Sequence, residues 1–261
     1  MAYLRQQFTL FFTALQFYTR LPAPRWVPYR PENLSLATGY LPLIGWIVGL
    51  AAAATWFVAD YLANPSIAVL CSMIISILLT GAFHEDGFAD VCDGFGGGWT
   101  REKILEIMKD SRVGTYASVG LVLILGLKFL LLQSVAGLES GMVGALVSGH
   151  ALSRLMPVFI IYTLPYSRDT DSKAKPVAEK PPFAVLATAT FFGVLPLLAF
   201  AFHLGQPLLL AAIVVLGLVT VLLARYFRKW IGGYTGDCLG AIQQVCEVTF
   251  YFFLVVLWKF S

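Results

Sequence analysis

The stretch ATGYLPLIGWIVGLAAAATWFVA, residues 37–59, contains no charged residue. At 1.5 Å per residue, a helix of that length reaches about 35 Å, enough to cross the roughly 30 Å hydrocarbon core of a bilayer. Six more apolar stretches with at most one charge each follow, at 66–83, 115–135, 141–163, 183–203, 207–224 and 240–258. The composition agrees: 58% of the 261 residues are hydrophobic and 13% are charged, against roughly 25% charge in a soluble domain. The expected fold is therefore all-α, a polytopic membrane bundle of about seven transmembrane helices forming one domain over 1–261. Asn64-Pro65 and Gly205-Gln206-Pro207 read as tight turns of helical hairpins. Gly45 with Gly49, and Gly141 with Gly144-Ala145, would let helices approach closely. Arg5 followed by FTLFFTALQFYT (8–19) is short, holds Gln16 and lacks a small-residue cleavage site, so it reads as an interfacial amphipathic helix.

The charges can be sorted against these spans. Connections 60–65, 136–140 and 204–206 carry no Lys or Arg. Connections 84–114, 164–182 and 225–239, with the first 36 residues, carry fifteen of the eighteen, including Arg168, Lys173, Lys175 and Lys180. Basic residues thus fall on every second connection. The positive-inside rule then places the N-terminus inside and the C-terminus outside. A net charge of +3 is too small to suggest a nucleic-acid partner. Cys71, Cys92, Cys238 and Cys246 show no CxxC or zinc spacing and read as small apolar filler.

One basic connection carries the chemistry. It reads HEDGFADVCDGFGGG over 84–98. If the second span continues as helix, Asp86, Asp90 and Asp93 stand at i, i+4 and i+7 on one face. Three stacked like charges repel, and oxygen ligands of this kind suit Mg²⁺ or Ca²⁺; a solvated acidic turn is the plainer alternative. Gly87 and Gly94 leave room beside the carboxylates, and Gly96-Gly97-Gly98 could open a turn of bare N–H groups. Ile104, Leu105, Ile107 and Met108 then form the apolar stripe of an interfacial helix. Lys109, Ser111 and Arg112 cluster beyond it, as a diphosphate would require, or as ordinary positive-inside anchors.

Arg154 and His150 lie one turn apart inside a span, where charge is expensive. Arg154 could pair with one of the aspartates or hold a phosphate, while Lys128 could snorkel. Asp237, in the turn GGYTGDCLG (232–240), is either a helix N-cap or a further metal ligand. Glu247 is again intramembrane.

These segments resemble the cobalamin synthase family, the adenosylcobinamide-GDP ribazoletransferases. The likeness rests on 84–98, on MKDSRVGTY (108–116), on Ser153-Arg154, on GYTGDCLGA (233–241) and on FYTRLP (17–22). It implies a Mg²⁺-dependent enzyme of the bacterial inner membrane with its active site facing the cytoplasm. Such an enzyme joins adenosylcobinamide-GDP to α-ribazole or α-ribazole 5′-phosphate and releases GMP. On that likeness Asp86, Asp90 and Asp93 hold the metal, with Glu85 and Asp237 completing the set. Lys109, Ser111, Arg112 and Arg154 steady phosphates, and Asp93 or Glu85 takes the proton from the attacking hydroxyl. Oligomeric state is left open, a homo-oligomer included. A looser likeness to the CDP-alcohol phosphotransferases starts at Asp86-Gly87-Phe88-Ala89 but breaks at Asp90, where that motif has Arg. A transporter is a third reading, opposed by the gathering of charge at one membrane face.

Overall fold

A computed structural model describes residues 2–28, 30–137, 141–168 and 180–260. Lys173 and Lys175 of the expected basic face lie outside the described residues. The elements are α1 (Ala2–Tyr18), α2 (Leu34–Ala37), α3 (Leu41–Leu62), α4 (Pro65–Thr80), α5 (Phe83–Gly97), α6 (Arg101–Ile107), α7 (Thr115–Ala136), α8 (Met142–Thr163), α9 (Phe183–Leu204), α10 (Ala211–Ile231) and α11 (Gly236–Lys259). No strand occurs among the described residues. Six helical runs are long and apolar enough to cross a membrane, and α4 with α5 passes the same test only as a bent pair. The chain is a multi-pass helical membrane protein.

Burial follows the logic of a lipid solvent. The run 207–231 is the most apolar, with a mean hydropathy of 2.8, yet only 22% of it is buried. Of the six runs, α8 is the least apolar at 1.4, and 83% of its apolar stretch is buried. Lipid takes the apolar faces, so the polar helix goes to the centre, where protein can satisfy it. There it packs against α3, α9, α10 and α11.

Small residues set the approach distances, as read from the sequence. A Cβ on Gly45 would strike the His150 carbonyl, and one on Gly49 would lie 2.8 Å from Val147 Cα, so α3 and α8 touch backbone to backbone. Gly144 receives the Phe200 ring of α9, and Gly149 the Tyr251 ring of α11. The hairpin turns also stand: the Asn64 side chain accepts from the Ile67 N–H at 3.0 Å, with Pro65 in the first turn of α4.

The second span does not run on through the acidic stretch. Gly81 (φ +66°) and Ala82 (φ +58°) are both left-handed, and the axes of α4 and α5 differ by 88°. Gly81 tolerates that conformation; Ala82 adopts it at a cost of about 1–2 kcal/mol. The Ala82 N–H donates to the Ile77 carbonyl at 3.0 Å, closing α4, and the Arg20 N–H donates to Leu79 at 2.7 Å. Helix α5 therefore turns away from α4 and lies between α7 and α11.

The basic connections meet at one end of the bundle. Ser167 and Tyr234 are joined by a Ser167 N–H to Tyr234 carbonyl bond of 2.8 Å, and Tyr234 N–H donates to Pro165 at 3.1 Å. Arg101 donates to the Ser167 carbonyl at 3.1 Å.

The α3–α8 contact gives a direct test. Gly45→Val should destabilise the fold by about 1–3 kcal/mol through overpacking, read as a lower midpoint of thermal unfolding in detergent. Gly126→Val, where a Cβ meets nothing within 4 Å, should leave that midpoint unchanged.

Candidate active site

Helix α5 begins with Glu85 and Asp86 in its first turn, where carboxylates favour the positive end of the dipole. It ends at Gly97 with the Gly98 N–H on the Gly94 carbonyl. Within that helix Asp86, Asp90 and Asp93 share one face, as the spacing requires. The expectation of an open Gly96-Gly97-Gly98 turn is corrected. Gly96 and Gly97 are helical, Gly96 lies under the Tyr116 ring, and Gly98 packs on Ile104. These glycines admit neighbours and do not form an anion nest.

A glycine contact brings in the fourth carboxylate. A Cβ on Gly87 would lie 2.9 Å from the Asp237 carbonyl oxygen, and one on Gly240 would lie 3.0 Å from that of His84. The start of α11 thus lies against the start of α5. Asp90 is half-buried with the charges of Asp237 and Asp86 beside it. Thr235, whose hydroxyl accepts from the Cys238 N–H at 3.3 Å, caps α11. Asp237 is therefore not the N-cap; it pairs with Arg168 at 2.6 Å, and Arg168 also donates to the Met108 carbonyl at 3.2 Å.

The other two expected carboxylates have partners of their own, although the charge of Asp93 also bears on Asp90. Asp93 accepts from the N–H groups of Gly114 (2.6 Å) and Ala117 (2.9 Å), so it holds the first turn of α7. Glu85 points the opposite way, is 8% exposed, and accepts from Gln244 at 3.0 Å. Among the described residues, no group of three or more His, Cys, Asp or Glu side chains is placed as it stands to hold a metal ion. Asp86, Asp90 and Asp237 bring hard oxygen donors near one another, with Arg168 beside Asp237. That suits Mg²⁺, which binds through one or two carboxylates and fills its shell with water and phosphate oxygens.

Lys109 and Arg112 line a broad cleft between α6 and α7, together with Asp93, Asp110 and Tyr116. Arg112 forks onto Asp110, whose carboxyl it holds down to about 2. Lys109 and Ser111 are exposed, and Ser111 is not in the cleft wall.

Arg154 is only 2% exposed and hydrogen-bonds to the His150 ring (3.0 Å) and carbonyl (3.1 Å). Its charged neighbours are Glu247 and Glu85, not the aspartate row. Lys128 does not snorkel: it is 2% exposed and pairs with Glu247 at 2.6 Å. Glu247 also accepts from Gln243 (2.7 Å) and Tyr251 (3.2 Å), and Gln244 links Gln243 to Glu85. Sequence reading misses this network, because Gln243 and Gln244 carry no motif. It also misses Arg168 as a site residue, though Arg168 stands among the basic residues of its connection.

The family described as cobalamin-5-phosphate synthase matches residues 10–255. An adenosylcobinamide-GDP ribazoletransferase of Leptospira interrogans is 41% identical over 261 residues, covering 98% of each chain. One from Shewanella frigidimarina is 46% identical, over 97% of this chain and 95% of its own. Another, from Shewanella amazonensis, is 45% identical over the whole of both. No solved structure matches the chain. With the aspartate row and the basic connections set at one end of a helical bundle, these matches show that the chain belongs to the cobalamin-5-phosphate synthase family.

Proposed function

We propose that this transferase joins adenosylcobinamide-GDP to α-ribazole or α-ribazole 5′-phosphate, releasing GMP and forming adenosylcobalamin or its 5′-phosphate. The observation that carries the reading is the placing of Asp86, Asp90 and Asp237 across one glycine contact, next to the cationic connections. An acceptor hydroxyl oxygen forms a bond to the phosphorus on the cobinamide side. The bond from that phosphorus to the bridging oxygen breaks, and GMP leaves with that oxygen. Such a transfer is chiefly a matter of positioning and of charge neutralisation.

Asp86, Asp90 and Asp237 would hold Mg²⁺, which when bound neutralises charge on the diphosphate. Arg168 fixes Asp237, and Asp93 keeps the start of α7 beside the row. Lys109 and Arg112 approach phosphate oxygens from the cleft, with Ser111 at its margin. Asp93 lines that cleft and keeps free lone pairs, so it takes the hydroxyl proton. Glu85, on the inner side of α5, anchors the helix, and buried Arg154 supports it through charge. The basic end faces the cytoplasm across the bacterial inner membrane, with the N-terminus inside, the C-terminus outside and α1 in the interface. Nothing in the site geometry favours a CDP-alcohol phosphotransferase or a transporter.

Purified protein given adenosylcobinamide-GDP and α-ribazole should release GMP with Mg²⁺ and stop on addition of EDTA. Asp86→Ala or Asp90→Ala should cut that rate at least about a hundredfold while the protein stays folded; substantial activity in the double variant would sink the assignment. A cysteine placed at Gly137 should react with an impermeant reagent only from outside the cell. Labelling from the cytoplasm alone would reverse the topology.

A further inference from the structure

The broad cleft between α6 and α7 holds about 790 Å³ of space, within the 300–1,000 Å³ range typical of small-ligand pockets. Tyr116 stands in its wall and is 57% exposed, although its ring rests on α5. A Cβ on Gly96 would lie 2.5, 2.7 and 2.8 Å from Cγ, Cδ1 and Cδ2 of that ring. A point so near all three atoms lies over the ring face, so Gly96 backs one face and the other is open to the cleft. An aromatic ring fixed behind and bare in front is a platform on which a flat base stacks. A tyrosine acting only as an interfacial anchor would turn its ring to the lipid head groups. This one shares a wall with Asp93, Lys109 and Arg112.

Contacts in space tie the platform to the reacting groups. Asp93 accepts from the N–H groups of Gly114 at 2.6 Å and Ala117 at 2.9 Å, which bracket Tyr116 in the first turn of α7. The charge of Asp93 in turn bears on Asp90. Gly96, under the ring, lies three residues beyond Asp93, about 4.5 Å along the axis of α5. That is comparable to the reach from a ribose hydroxyl to the base on the same sugar. In an in-line displacement the leaving nucleotide departs from the side opposite the attacking hydroxyl. With Asp93 taking the hydroxyl proton, a base held beside it is the acceptor's and not the guanine of GMP.

We propose that Tyr116 is the stacking platform for the base of the nucleoside acceptor, seated in the α6–α7 cleft with its ribose hydroxyl toward Asp93. The proposal rests on the function given above and adds to it the residue that selects the acceptor. Stacking asks only for a flat π-face. The platform therefore separates a heteroaromatic nucleoside from a bare sugar and admits more than one base.

The test uses the full chain in nanodiscs with α-ribazole as the probe, by equilibrium dialysis and by steady-state rates. Tyr116→Leu keeps apolar bulk but removes the π-face. It should weaken α-ribazole binding and raise its KM at least about fivefold, leaving the KM for adenosylcobinamide-GDP unchanged. Tyr116→Phe keeps the face and should stay within about twofold of wild type. Gly97 also lines the cleft, and a Cβ there meets only Ile107, at 3.5 Å. Gly97→Leu should therefore fold and, by narrowing the cleft, weaken α-ribazole binding at least about tenfold. The proposal is overturned if either leucine variant, folded, leaves α-ribazole affinity unchanged, or shifts adenosylcobinamide-GDP or GMP binding instead. In that case wild-type turnover continues and the function stands. If wild-type protein neither binds α-ribazole nor turns over, the function fails and the platform with it.

Discussion

Glu247 sits in the middle of α11, 1% exposed, in a protein whose surroundings are lipid. A lone carboxylate there would be prohibitively costly, and removing one partner of a buried pair typically costs about 3–5 kcal/mol. The carboxylate is held instead by Lys128 of α7, by Gln243 and Tyr251 of its own helix, and by the charge of Arg154 on α8. Three helices are thereby fixed in rotation about one point. Arg154 donates to Nδ1 of His150, so that ring acts as a neutral acceptor, and its 3.4 Å approach to Glu247 is not an ion pair. The polarity of α8 is thus the reason for its central position.

The same network reaches the reaction site through Gln244 and Glu85. Glu85 and Asp86 are adjacent on α5, yet one faces the buried network and the other faces outward. A short helix with carboxylates on two sides can serve both ends only if it is pinned on both. The inner pin is Gln244. The outer pins are the Gly87–Asp237 contact and the two N–H groups that Asp93 accepts from α7. The glycines of α5 serve close packing here, and through it they set the distance between the carboxylates of two helices.

Much of this was legible in the sequence. Apolar runs of bilayer length with at most one charge each marked the spans, and alternation of basic connections marked which loops share an end. The i, i+4, i+7 spacing marked the row on α5. The break at Gly81-Ala82 was not legible, because it requires a positive φ at an alanine and an 88° turn that apolar continuity conceals. Nor was the division of labour among the carboxylates. Asp93 meets Gly114 and Ala117, and Asp237 meets Arg168, across separations that no local pattern encodes. Lys128 and Glu247 each read as a lone intramembrane charge until folding brought them within 2.6 Å.

The central claim is that Asp86 and Asp90, joined by Asp237, form a divalent-metal centre. Mn²⁺ binding to the purified protein, followed by electron paramagnetic resonance without substrate, tests it apart from turnover. The account predicts saturable binding, displaced by Mg²⁺ and lost in the Asp86→Asn, Asp90→Asn double variant. Undiminished Mn²⁺ binding in that variant would contradict it.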